Sequence, residues 1–209
     1  MKTWITADLH LGEDRFEIMG RAFTNAQEHV DTLLDNYNAL VNPEDTVIIN
    51  GDVCYQKAPQ FLPQINRFHG RKILIRGNHD RIFSDIDLAP YFESIIAEGQ
   101  GMEWEAKDGD NVIPCYITHY PTQGCNERFN LVGHVHSAWK YQHNSFNVGV
   151  DTNCMRPVNM DKIANHFAAV CKFYDADVWV AYNTINASFR GKRGKPSVYF
   201  SKAPLKKQN

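Results

Sequence analysis

The chain reads as an α/β protein built from parallel βαβ units, on three observations. Short apolar runs at Lys2–Ala7, Thr46–Ile49 and Lys72–Ile75 alternate with segments of helical periodicity, the pattern of strands joined by crossover helices. Each run stops abruptly in polar or turn-forming residues: Asp8-Leu9-His10, Asn50-Gly51-Asp52 and Arg76-Gly77-Asn78-His79-Asp80. The pattern then recurs, with Val112–Thr118 ending at His119 and Phe129–Val132 ending at Gly133-His134-Val135-His136. Strand ends therefore gather polar residues that the sequence scatters.

In chain order, the Trp, Ile and Thr of the first run favour a strand that delivers Asp8 and His10 into a loop. Thr24 or Asn25 caps a helix whose apolar stripe is Val30, Leu33, Leu34, Tyr37, Leu40 and Val41, and Pro43 stops it. Pro59 opens a shorter helix through about Phe68. From Ser84 to Asp110, acids and glycines predict loops, a short strand or two and a turn. Ser145–Gly149 is a further strand, and Met160 to about Tyr174 a helix capped by Asn159, with Ile163, Phe167, Val170 and Cys171 on one face. Val178–Tyr182 predicts one more strand.

The 209 residues, 43% of them apolar, suffice for one compact domain, placed at 1–187. Residues 188–209 form a basic extension, with Arg190, Lys192, Arg193, Lys195, Lys202, Lys206 and Lys207 and no acid. The net charge of -2 selects no partner class. Five cysteines without a C-x-x-C pair fit reduced thiols rather than a disulfide framework. With no apolar leader and no membrane-length apolar stretch, a cytoplasmic protein is expected, with no obligate protein partner evident.

Asp8, His10, Asp52, Asn78, His119, His134 and His136 combine hard oxygen with imidazole nitrogen, a set that Mn, Fe, Ni, Zn and Co all accept. In extended chain, residues i and i+2 project to one side, so Asp8 with His10, and His134 with His136, can converge on one cavity. Two cations held ~3.5–4 Å apart need a bridging anion. Asp52, the lone acid of its fragment, is the natural bridge. On residue type alone His79 serves either as another ligand or as an acid.

These fragments resemble the calcineurin-like metallophosphoesterase family, whose pattern D-x-H, G-D, G-N-H-D/E, H and G-H-x-H is matched at Asp8, His10, Asp52, Asn78, His79, Asp80, His119, His134 and His136. The resemblance implies a four-layer αββα sandwich of two mixed sheets flanked by helices. It implies one divalent metal on Asp8, His10, Asp52 and His136, and a second on Asp52, Asn78, His119 and His134. His79 would be the general acid, Asp80 would orient its ring, and a metal-bridging hydroxide would attack phosphorus. Gly51-Asp52 continues Val53-Cys54-Tyr55, without the D-R-G signature of the Ser/Thr protein phosphatases. His119-Tyr120-Pro121, Arg21-Ala22-Phe23 and Arg156-Pro157-Val158 are similar to the short phosphohydrolases of bacteria and phages.

The expected activity is hydrolysis of phosphodiesters of nucleotides or nucleic acids, with Mn as the first choice of metal. A phosphomonoesterase or pyrophosphatase acting on a small metabolite, and a noncatalytic scaffold of the same fold, are the competing readings. Of the cations near motifs, Arg15, Arg21, Arg76 and Arg128, Arg21 is expected to grip substrate phosphate. The basic extension, with Phe189, Tyr199 and Phe200 as stacking faces, either holds a nucleic-acid strand or is a solvated tail.

Overall fold

The computed structural model describes residues 1–173. In chain order these form β1 (Thr3–Thr6), the single turn α1 (Phe16–Met19), α2 (Ala26–Asn38), β2 (Thr46–Asn50), a 3-10 stretch Pro59–Arg67, β3 (Arg71–Ile75), α3 (Asp85–Leu88), β4 (Ser94–Ile96), β5 (Met102–Asp108), β6 (Asn111–Thr118), β7 (Phe129–Val132), β8 (Tyr141–Gln142), β9 (Ser145–Asn147), β10 (Val158–Asn159) and α4 (Ile163–Phe173). One five-stranded sheet runs β10-β1-β2-β3-β4 and the other β5-β6-β7-β9-β8. Both are mixed. β1 to β4 are parallel with β10 antiparallel at the edge, while β6, β7 and β9 are parallel with β5 and β8 antiparallel beside them. The expected mixed α/β class with two mixed sheets and helices is what the chain adopts.

Alternation along the strands separates two cores. Trp4, Val47, Ile49 and Leu74 face α2 (Val30, Leu33, Leu34, Tyr37) and the 3-10 stretch (Leu62, Ile65). The intervening residues Ile5, Ile48 and Ile75 join Ile113, Cys115, Ile117, Phe129, Leu131 and Phe146 of the second sheet, together with Ile163 and Val170 of α4. The two sheets are also tied at their ends. Asn50 donates from its amide to the carbonyls of Thr118 (2.9 Å) and Leu131 (3.3 Å). The C-terminal ends of the parallel strands consequently lie together, which is where open α/β sheets present their sites.

Several local expectations change. The 59–68 helix is 3-10 rather than α, because Pro63 inside it supplies no N–H for the α ladder. Asn25, not Thr24, caps α2 by accepting from Glu28 N. Asn159 does cap, accepting from Asp161 N at 2.8 Å, but a 3-10 turn (Met160–Lys162) precedes α4. Within 84–110 the seven-residue β5 pairs through Asp108 with β6 around a turn at Gly109-Asp110. Its alternation of inward Met102, Trp104 and Ala106 with exposed Glu103, Glu105 and Lys107 is the half-buried strand pattern. All five cysteines are unpaired. The Val178–Tyr182 strand, the 187/188 boundary and the basic extension lie outside the described residues.

Candidate metal centre

Five strand ends deliver the site. The loop after β1 brings Asp8 and His10, that after β2 Asp52, that after β3 Asn78 and His79, that after β6 His119, and that after β7 His134 and His136. Their ligand atoms form three groups, each within 4.8 Å: Asp8 with His10 and His136, His10 with Asp52 and His79, and Asp52 with His119 and His134. Asp52 joins the groups, its Oδ2 lying 3.4 Å from both His10 Nε2 and His119 Nε2.

The backbone is bent to achieve this. Asp8 (φ 60°), His10 (49°), Asp52 (57°), His134 (72°) and His136 (47°) all occupy the left-handed region, at about 1–3 kcal/mol apiece for residues other than glycine. Non-glycine residues are uncommon there, and Asp and His are among those that enter it most readily. Close approach also dictates glycine at two positions. A Cβ on Gly51 would stand 2.2 Å from His119 Nδ1, and one on Gly77 would stand 2.3 Å from Asp52 Oδ1.

Buried polar atoms with no hydrogen-bond partner are costly, and here they cluster: both ring nitrogens of His10, Nε2 of His119 and Oδ1 of Asn78. A coordinated cation satisfies such atoms, so these residues fit a divalent metal centre. Second contacts fix which nitrogen is offered. His119 Nδ1 donates to the Asn50 carbonyl at 2.8 Å, leaving Nε2 for the centre, and His136 Nδ1 is held by Asp151 Oδ2 at 2.8 Å, again freeing Nε2.

Electrostatics follow from burial and proximity. Burial, partly countered by His119 and His136, pushes Asp8 up to about 6. Burial pushes His10 down to about 4. For His119, burial would lower the pKa, but the adjacent Asp52 carboxylate wins and raises it to about 9. Asp52 is itself held well below the carboxylate range, burial being outweighed by the two imidazoles. Asp8 and Asp52 thus repel within a dry site, which a cation relieves.

Asp80 and Arg21 make contacts that their motifs do not announce. The Asp80 carboxylate accepts from the backbone N–H of Asp52 (2.9 Å), Val53 (3.0 Å) and Gly77 (2.9 Å) and so staples the second loop to the third. Burial and then the Asp52 charge push its pKa up to about 7. Arg21 is turned inward. Its side chain is wholly buried, donating to Asp151 Oδ1 (2.7 Å) and Oδ2 (2.9 Å), Asp8 O (2.7 Å) and Leu9 O (3.3 Å), with His29 Nε2 at 2.9 Å. An arginine close to motif residues in sequence is drawn inward when buried acceptors demand its fork.

Of the other arginines, Arg76 is mostly buried against Phe83 O and Asp85 and Arg128 pairs with Glu103. Arg15 is half-exposed, forked onto buried Glu13, and stands 4.7 Å over the Tyr55 ring. Tyr55 in turn lies 5.7 Å from His79, and Arg15, Tyr55 and Lys57 line one cavity of about 500 Å³. Sequence reasoning passed over Asp151 and Glu13. Asp151 carried a signal, since Gly149-Val150-Asp151 follows a strand as Gly51-Asp52 does.

Strand-end carboxylates and imidazoles around buried unpartnered ligand atoms define an α/β protein with a candidate metal centre. The chain belongs to the calcineurin-like phosphoesterase family, whose sequence profile matches residues 1–181. It is 37% identical over 81 residues to the Gene 66 protein of Mycobacterium phage L5, 37% of this chain and 39% of that one. It is 28% identical over 93 residues to the uncharacterized protein MJ1445 of Methanocaldococcus jannaschii, 43% of this chain and 53% of that one. The matches thus span about half or less of those relatives' lengths. The crystal structure of AQ665, a protein of unknown function from Aquifex aeolicus, superposes with a TM-score of 0.58 at 19% identity, over 78% of this chain and 98% of that one, a likeness of fold.

Proposed function

We propose that the chain is a phosphoesterase working with two divalent transition-metal ions, Mn first and Fe, Ni, Zn or Co as alternatives, and that it cleaves phosphodiesters of nucleotides or nucleic acids. The observation that carries this reading is the pair of groups Asp8–His10–His136 and Asp52–His119–His134, with one Asp52 oxygen equidistant from a histidine of each. Asp8, His10, Asp52 and His136 would hold one cation, and Asp52, Asn78, His119 and His134 the other. Bound there, such cations supply Lewis acidity to phosphate oxygens and lower the pKa of a water.

The chain's own groups do the rest. His79 stands edge-on to His10 at 4.4 Å, and its backbone N–H donates to Asp52 Oδ1 at 2.8 Å, which fixes the residue beside the centre. Gln56 N approaches its Nδ1 at 3.5 Å, so Nε2 is the atom that gives a proton to the departing oxygen. Burial lowers the His79 pKa, which makes its imidazolium a stronger acid and a scarcer one at neutral pH. Arg15, exposed on the same side, meets substrate phosphate in place of Arg21.

The test compares bis-p-nitrophenyl phosphate with p-nitrophenyl phosphate on Mn-loaded protein, with Asp52→Asn as control. Faster diester turnover, lost in the variant, is expected; faster monoester turnover moves the substrate to small metabolites, and metal binding without either activity favours a scaffold. The group His10–Asp52–His79 supports a second role for His79, as ligand. His79→Ala is expected to keep full metal content and to lose far more rate on alkyl or nucleoside esters than on p-nitrophenyl esters. Lost metal would assign the ligand role instead.

A further inference from the structure

We infer that Asp151 is a positioning residue that presents His136 to the metal centre, and that Arg21 locks Asp151 to the loop carrying Asp8 and His10; the inference rests on the metal-centre reading above. Asp151 lies 15 residues after His136 and 130 after Arg21 in sequence, so one carboxylate gathers three distant segments. Its Oδ2 holds His136 Nδ1 (2.8 Å) and Arg21 Nη2 (2.9 Å), and its Oδ1 holds Arg21 Nε (2.7 Å). The other guanidinium contacts run to His29 Nε2 and to the carbonyls of Asp8 and Leu9, inside the stretch whose two ends, Asp8 and His10, have left-handed backbone.

A buried ion pair is a weak stabiliser compared with an apolar pair of the same volume, so stability alone does not account for this one. Its geometry does. The arginine fork has one edge on the carboxylate that orients a ligand histidine and the other on the main chain that bends two further ligands inward. All three histidine and carboxylate ligands of the first group, Asp8, His10 and His136, are therefore indexed to one rigid ion pair. The strand end bearing Asp151 is also fitted directly against Asp8. Val150 N donates to Ala7 O at 3.1 Å, and a Cβ on Gly149 would stand 2.7 Å from Asp8 Oδ2.

The second group has no such brace among the described residues: His119 is oriented by the Asn50 main-chain carbonyl, and no hydrogen bond links it to Arg21 or Asp151. The brace therefore acts on one cation site and spares the other, which a general loosening of the fold would not do.

The experiment uses the full chain as wild type, Asp151→Asn, Arg21→Lys, and the double variant Arg21→Met with Asp151→Leu, which removes both buried charges together and leaves none unpaired. Mn binding is followed by equilibrium dialysis with metal analysis, the His136 tautomer by long-range proton–nitrogen NMR of the Zn-titrated chain, and kcat and KM on bis-p-nitrophenyl phosphate. Asp151→Asn and the double variant are expected to weaken one Mn site about 10–100-fold, the range for groups that orient metal ligands, and leave the other unchanged. Arg21→Lys weakens the same site less; kcat falls with little change in KM, and the Nδ1–H signal of His136 is lost where Asp151 is replaced. A double variant that binds both Mn ions as the wild type does overturns the inference. Wild type that binds no cation overturns the metal-centre reading instead, and the tautomer then decides the brace: if it persists in Asp151→Asn, the brace fails too.

Discussion

The two halves of the candidate metal centre are held by different means. Around Asp8, His10 and His136 the supports are charged side chains, Arg21 and Asp151. Around Asp52 and His119 the supports are main-chain groups: the Asn50 carbonyl orients His119, and the amides of Asp52, Val53 and Gly77 converge on Asp80. The first kind of support is set by residue identity and is removable by one substitution. The second is set by the strand register, so only changes that disturb the loops will reach it.

The largest effect is expected where the halves meet. Asp52→Asn should abolish Mn-dependent turnover and lower the affinity of both sites, by more than the ~10–100-fold typical of outer contacts, since Asp52 faces a histidine of each half at 3.4 Å. Retention of one full-affinity site by dialysis would show that the halves do not share it.

Next is Asp80→Ala. Three buried backbone N–H groups lose their acceptor, at about 1–3 kcal/mol each, so the denaturant midpoint should fall by the equivalent of at least about 3 kcal/mol. The double variant lacking Arg21 and Asp151 should cost less stability than this, and the reverse order would overturn the distinction between main-chain and side-chain support.

A smaller loss is expected from Asn50→Ala, which removes the amide that spans the sheets to Thr118 and Leu131 but keeps the carbonyl that orients His119. Unfolding by urea should report about 1–3 kcal/mol, with Mn affinity at either site altered far less than in Asp52→Asn.

The smallest effect lies outside both halves. His166 stacks on Phe146 at 4.1 Å and bonds Tyr141 through Nδ1. Burial, and then Lys140, push its pKa down to about 4. Its unfolded pKa is about 6.5, so between these values the unfolded chain binds more protons. Stability from this group is accordingly full above pH ~6.5 and declines toward pH 4, by on the order of 1–2 kcal/mol once solvent screening of the partly exposed ring is allowed for. His166→Phe should flatten that part of a thermal-melt profile against pH while leaving the metal sites alone.

Strand ends and their ligands were legible because both depend on local pattern: apolar runs of β-branched residues stop where Asp, Gly, Asn or His begins. Asn25 and Pro63 likewise act on their own neighbourhood, though only the backbone showed that Pro63 turns the expected helix into a 3-10 stretch. β5 was partly hidden, because its outward Glu103, Glu105 and Lys107 resemble a charged loop until β6 is paired beside them. The contacts of Arg21 and Asp80 lie beyond the reach of sequence for one reason. Residue type tells that a fork or a carboxylate needs partners, but not whether these are substrate, a neighbouring ring or the protein's own main chain.

The sequence by itself determined the class of fold, the residues able to hold metal and the family they resemble, since ligand chemistry and strand periodicity are properties of residue type and short-range order. Only the tertiary structure decided that Asp52 stands between two histidine groups, that Asp80 braces loops, and that Arg21 is buried on Asp151. Those facts depend on distances between segments up to 130 residues apart, which are fixed by how two sheets pack and not by any local stretch of chain.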